Sequence, residues 1–152
     1  MKIKSVQPID GSREKIWKVI TDIGHASENI NAIEKVEILE MPPEGIVGLK
    51  WRETRTLFGK SASEVMWITE AVKNEYYKTR AESHGSVYTT QLSISGSGTH
   101  HVLTMEFESE ARTIGGKLMA VIFGMIFKNA TKKAFISDLL DIKKVVESDN
   151  NR

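Results

Sequence analysis

The strongest constraint in this sequence is a change in hydrophobic period. Between Lys35 and Arg112 apolar residues recur every second position, and from about Gly116 to Val146 they follow helical spacing. In the first region Leu49, Trp51, Glu53, Arg55 and Leu57 alternate with Lys50, Arg52, Thr54 and Thr56. Glu64, Met66 and Ile68 form a second such set, Tyr88, Thr90, Leu92 and Ile94 a third, and His101, Leu103, Met105 and Phe107 a fourth. The segments between them carry turn chemistry: Pro42-Pro43-Glu44-Gly45, Phe58-Gly59-Lys60, Lys73-Asn74-Glu75, His84-Gly85-Ser86 and Ser95-Gly96-Ser97-Gly98. About six consecutive strands joined by short turns pair antiparallel.

Upstream, Ile3 to Ile9 alternates as a first strand ending near Pro8. Asp10 or Ser12 then caps a helix carrying Ile16, Trp17, Val19, Ile20 and Ile23, which Gly24 stops. A second short helix is expected over His25 to Ile33. The predicted fold is therefore α+β: a curved antiparallel sheet of about seven strands, in the order β-α-α-β6-α, around a long C-terminal helix. One domain is expected over residues 1–147, with residues 148–152 as a frayed tail.

A long twisted sheet with one apolar face curls over whatever covers it. The C-terminal helix is the one long element left for that task. Its first half, Leu118 to Phe127, is apolar nearly all round, as expected of a helix buried on every side or feeding a partner such as a second copy. Where sheet and helix diverge, a cavity is expected. Gly124 either permits close packing or a bend beside that cavity, or merely fits a tight spot.

Other classes of function receive no support. Lys and Arg number 21 against 20 Asp and Glu, so net charge provides no general attraction to nucleic acid. There is no cysteine, which removes disulfide and thiolate chemistry and fits a reducing, cytoplasmic setting. The N-terminus does not read as a signal peptide, and Leu118 to Phe127 is too short to span a bilayer. His100 and His101 point to opposite faces of a strand, and His25 and His84 are remote from them, so no metal is expected. Ser95 to Gly98 lacks the dinucleotide-binding spacing, so no nucleotide cofactor is expected either. The sequon Asn129-Ala130-Thr131 lies on the helix, and Lys128, Lys132 and Lys133 read as a solvated helix face.

At this point the sequence resembles a family. Arg13-Glu14-Lys15-Ile16-Trp17-Lys18-Val19-Ile20-Thr21-Asp22 is similar to the first-helix signature of the START-related superfamily, which includes polyketide cyclase/dehydratase-like and pollen-allergen-like proteins. Gly48-Leu49-Lys50-Trp51-Arg52-Glu53 resembles the opening of its third strand, and Gly98-Thr99 fits the turn before its last strand. One departure is Asn29-Ile30-Asn31, where a Trp is commoner. The resemblance implies a helix-grip fold whose cavity holds a lipid, sterol, quinone, polyketide or hormone, and in a few members a cyclase or dehydratase activity.

The candidate residues follow from the faces. If the Leu49 face points inward, Glu53 and Arg55 enter an apolar cavity as a polar anchor or acid/base pair; the bland alternative is an ion pair at the rim. Tyr88 and Thr90 offer hydroxyls to a ligand or simply pack. Trp51, Met66, Leu92, Leu103, Met105, Leu118, Ile122 and Met125 complete the expected wall. Trp17 and Trp67 read as core or partner contacts. Binding of a small, largely apolar molecule, with no stable membrane insertion, is the first reading. A cyclase/dehydratase using Glu53 is the alternative, and a homodimer through the apolar helix is a third.

Overall fold

The structure, a computed structural model, describes residues 1–148, and over residues 119–127 it describes the helical backbone but not the side chains. Chain order is β1 (Lys2–Asp10), α1 (Arg13–Thr21), a 3₁₀ turn (Ile23–His25), α2 (Ala26–Asn29), β2 (Ile33–Glu40), β3 (Lys50–Leu57), β4 (Lys60–Val72), β5 (Tyr76–Ser83), β6 (Ser86–Ser97), β7 (His100–Ala111) and α3 (Ile114–Ser148). The seven strands form one antiparallel sheet in the order β1-β7-β6-β5-β4-β3-β2. This is the helix-grip fold. Five hairpins in succession lay β2 to β7 side by side, and β1 closes onto β7 along its whole length.

Sheet curvature has local causes. The register shifts between Ile68 and Glu70 of β4, and twice in β2, at Ile33/Lys35 and Ile38/Glu40. Such irregularities bend a strand and increase its twist. The concave face then meets α3, which packs mainly on β1 and also on β7 and α1.

At one end the interior is solid. Ile9, Ile16, Leu103, Leu139 and Val146 are essentially inaccessible there. Each such side chain contributes about 1.5–3 kcal/mol relative to exposure. Ser12 caps α1, its Oγ accepting from the Lys15 amide at 3.1 Å; Asp10 does not cap it. At the other end, Gly116 of α3 approaches the Gly85 turn so closely that a Cβ would lie 2.8 Å from the Gly85 carbonyl carbon.

Several expectations require correction. The helix over His25 to Ile33 is a 3₁₀ turn and a four-residue α2; Ile30 is already extended (φ −118°, ψ 115°) and Ile33 opens β2. Asn29 and Asn31 are poor helix formers, and strand pairing of Ile33 with Arg55 wins. Helix α1 ends at Thr21 with Asp22 as its C-cap, before Gly24. The turn after β6 is Gly98-Thr99, since the strand runs through Ser97. Ser148, assigned to the tail, is helical; residues 149–152 lie outside the described residues.

Candidate functional site

Between the concave sheet face and α3 lies a cavity of about 480 Å³. Its wall is mostly apolar, with Ile20, Ile23, Ile30, Leu92, Met105 and Phe107 among the lining residues. This volume sits in the range of small-molecule sites.

Strand β3 aims Trp51, Glu53, Arg55 and Leu57 into it by simple alternation. Met66 enters from β4, Tyr88, Thr90 and Leu92 from β6, and Met105 from β7. The inward orientation of the Leu49 face therefore holds, and the rim-pair alternative for Glu53 and Arg55 does not. Two expected wall residues are elsewhere. Leu103 is fully buried in the solid end, where α1 and the C-terminal half of α3 already fill the space. Leu118 is 64% exposed, because Gly116 takes the sheet-facing side and a residue two further on is turned about 200° around the helix. The side chains of Ile122 and Met125, together with Gly124, fall outside the described residues.

The polar heart of the site is a buried triad. Arg55 Nε donates to Glu53 Oε1 at 2.8 Å, and its Nη1 donates to Asp138 Oδ2 of α3 at 3.0 Å. The side chains of Arg55, Glu53 and Asp138 retain 17%, 10% and 5% of their accessible surface. Burial opposes the guanidinium's charge, but Glu53 and Asp138 outweigh it and raise the Arg55 pKa. Burial pushes the Asp138 carboxyl above the usual carboxylate range, with Arg55 opposing and Glu53 and Asp141 adding. Asp138 Oδ1 and Trp51 Nε1 are buried without a hydrogen-bond partner among the described residues.

Another carboxyl lies beside the triad. Glu64 lies directly across from Glu53 in the β3–β4 pair. Ser83 Oγ donates to Glu64 Oε1 at 3.0 Å. The Glu64 pKa is raised, chiefly by burial and then by Glu53, against the Ser83 bond and His84. Tyr77, inward from β5, donates its hydroxyl to the Ile20 carbonyl at 3.0 Å, and burial raises its pKa. Stacking of Tyr88 on Phe107, with ring centroids 6.0 Å apart, and contact of Phe107 with Phe135 at 5.3 Å link the sheet to α3.

Asp138, Phe135, Glu64, Tyr77 and Phe107 are among the wall residues that sequence reasoning missed. A signal existed for Asp138: it stands at helical spacing among Phe135, Leu139, Ile142 and Val146, an acid on an apolar stripe. Outside the cavity, Trp17 packs edge-on against Tyr77 at 6.1 Å and Trp67 lies under the Lys50 ammonium. His101 is buried with Nδ1 against the Gly11 carbonyl, His100 pairs with Asp10, and Lys128, Lys132 and Lys133 are exposed.

No family model matches the sequence, and the search of curated proteins found no match. Solved structures do match in shape. The protein TTHA0849 from Thermus thermophilus superposes with a TM-score of 0.79 at 11% identity, covering 97% of this chain and 98% of that one. The ZhuI aromatase/cyclase from Streptomyces sp. R1128 gives 0.72 at 14% identity, over 97% and 93%. A START superfamily protein from Mycobacterium smegmatis gives 0.66 at 16% identity, over 89% and 94%. Seven-stranded curved sheet, long gripping helix and these likenesses together show the helix-grip fold, which this chain shares with those three proteins.

Proposed function

We propose that this chain, as one domain over residues 1–147, binds a small, largely apolar molecule between its sheet and α3. The observation that carries the reading is the cavity of about 480 Å³, apolar over most of its wall and furnished with one buried polar cluster. Apolar walls supply affinity, and a few fixed polar groups set orientation. The wall so assigned comprises Trp51, Glu53, Arg55, Met66, Tyr88, Thr90, Leu92 and Met105. Native mass spectrometry of gently purified protein should show a bound mass, and Nile red should bind saturably and be displaced by that compound. Met105→Trp, which intrudes on the cavity, should weaken uptake. Absence of saturable uptake by folded wild-type protein refutes the proposal.

A second reading is favoured by the paired carboxyls. Glu53 and Glu64 face each other across β3 and β4, and the Glu64 carboxyl is held protonated more readily than usual. Two carboxyls in unlike environments suit proton transfer of the cyclase/dehydratase kind, with Glu53 accepting and Glu64 donating. The aromatase/cyclase likeness supports trying polyketide-like substrates. Glu53→Gln should abolish any turnover while retaining binding; undiminished turnover excludes the assignment.

We place this function in the cytoplasm; recovery of the protein in an exported or membrane fraction contradicts that. No helix among the described residues is long and apolar enough to cross a membrane. Exposed Ile114 and Leu118 offer a surface for a second copy. Light scattering over a dilution series reads out whether a dimer forms.

A further inference from the structure

The charge and hydrogen-bond inventory of the cavity narrows the ligand further, given that the cavity binds one at all. Among described side chains the wall carries four carboxyls, Asp22, Glu53, Glu64 and Asp138, against the single guanidinium of Arg55; Asp22 pairs with His25 at 2.8 Å, and the ammonium of the lining residue Met1 donates to the Ser109 carbonyl at 3.0 Å. That guanidinium is already engaged on both sides, by Glu53 at 2.8 Å and Asp138 at 3.0 Å. An incoming carboxylate would meet a wall of its own sign and no free cation among those side chains. Loss of its hydration would go uncompensated.

Two wall residues meanwhile hold unmet hydrogen-bonding capacity. Trp51 Nε1 is a donor, and Asp138 Oδ1 an acceptor; each exposes less than 1 Å² and has no partner among the described residues. They belong to side chains at least nine-tenths buried, on opposite walls, β3 and α3. A buried polar atom without a partner carries a desolvation cost, which a ligand group removes by local adjustment of the wall. A ketone can serve only Trp51, and an ammonium only Asp138. A hydroxyl supplies one donor and two acceptor lone pairs, so it matches both kinds of need.

We propose that the cavity selects an uncharged apolar molecule bearing a hydroxyl, an alcohol or phenol, and rejects the carboxylic acid of the same skeleton. Trp51 and Asp138 are the residues that read the hydroxyl, and the excess of carboxyls excludes the acid.

Three fluorescent probes of one skeleton test this at pH 7: 1-methylpyrene, 1-pyrenemethanol and 1-pyrenecarboxylate. The alcohol should bind about tenfold more tightly than the methyl compound, the effect of one well-made hydrogen bond. The carboxylate should bind at least about tenfold more weakly than the alcohol. Asp138→Asn should narrow the alcohol-to-carboxylate ratio, and Trp51→Phe the alcohol-to-methyl ratio. If the methyl compound binds but the alcohol gains nothing, or the acid binds as well as the alcohol, the selectivity is overturned while the cavity reading stands. If none of the three binds to folded protein, the cavity reading itself falls and takes this inference with it. Should a variant fail to fold, the wild-type ranking decides alone.

Discussion

Replacing Arg55 by Met tests whether the triad is an electrostatic unit. The substitution keeps much of the side-chain volume but strands Glu53 and Asp138 at 10% and 5% exposure, with Glu64 across the strand pair from Glu53. Breaking a buried pair costs about 3–5 kcal/mol, and the partial exposure of Arg55 puts this case toward the lower figure. A domain of this size loses about 2–4 °C of Tm per kcal/mol, so a fall on the order of 10 °C is expected at pH 7. The pH dependence fixes the sign. Arg55 opposes the rise of the Asp138 pKa, and its removal lets that pKa climb further. A carboxyl whose folded pKa is raised favours the fold below its unfolded value, about 4, and loses that contribution as pH rises through the folded value. The deficit of the variant should therefore be largest at neutral pH and shrink toward pH 4. Thermal melts followed by circular dichroism across this range read it directly. A Tm within about 2 °C of wild type at pH 7, or a deficit independent of pH, refutes the reasoning.

Leu139→Ala opens a void in the solid end, where Leu139 is fully buried; about 2–5 kcal/mol should be lost in urea titration, and a loss under about 1 kcal/mol contradicts the packing described. Gly116→Ala should destabilise the protein despite alanine's helix advantage of about 1 kcal/mol, because its Cβ would collide with the Gly85 carbonyl; a stabilised variant in the same titration rules out that close approach. Glu64→Gln should gain stability relative to wild type as pH rises from about 4 to 7, since the raised carboxyl loses its contribution over that window and the amide does not; parallel stability curves count against burial as the cause.

Much of this architecture was legible because strict alternation carries its own geometry. Once β3 reads Leu49, Trp51, Glu53, Arg55, Leu57 on one face, the burial of Leu49 and Trp51 commits the charged pair to the same side. What escaped depends on contacts remote in sequence. Asp138 lies 83 residues from Arg55, and nothing local to either announces the pairing. The rotational phase of α3 escaped for the same reason: the N-terminal half is apolar all round, so periodicity cannot say that Gly116 faces the sheet and Leu118 faces out. The C-terminal half, with polar residues on its outer side, had a readable stripe. The second short helix is present but ends at Asn29 rather than Ile33, because strand pairing of Ile33 overrides weak local preference.

The position of the triad bears on why it is there. It joins β3 to α3 across a mostly apolar cavity, and Asn31 on the neighbouring loop donates its amide to Asp141 at 3.0 Å, about one helical turn further along. A link serving stability alone is better made from apolar groups, since buried ion pairs seldom recover the cost of their desolvation. Neutralising the whole cluster separates the two roles. The triple variant Arg55→Met, Glu53→Gln, Asp138→Asn should recover most of the Tm lost in Arg55→Met, because no carboxylate of the triad is left unpaired. It should nonetheless narrow the preference for alcohol over acid, because the net negative charge of the triad has gone while Asp22 and Glu64 remain in the wall. A triple variant as unstable as the single one would mean that the triad holds sheet and helix together by shape, and that its charges are incidental to the fold.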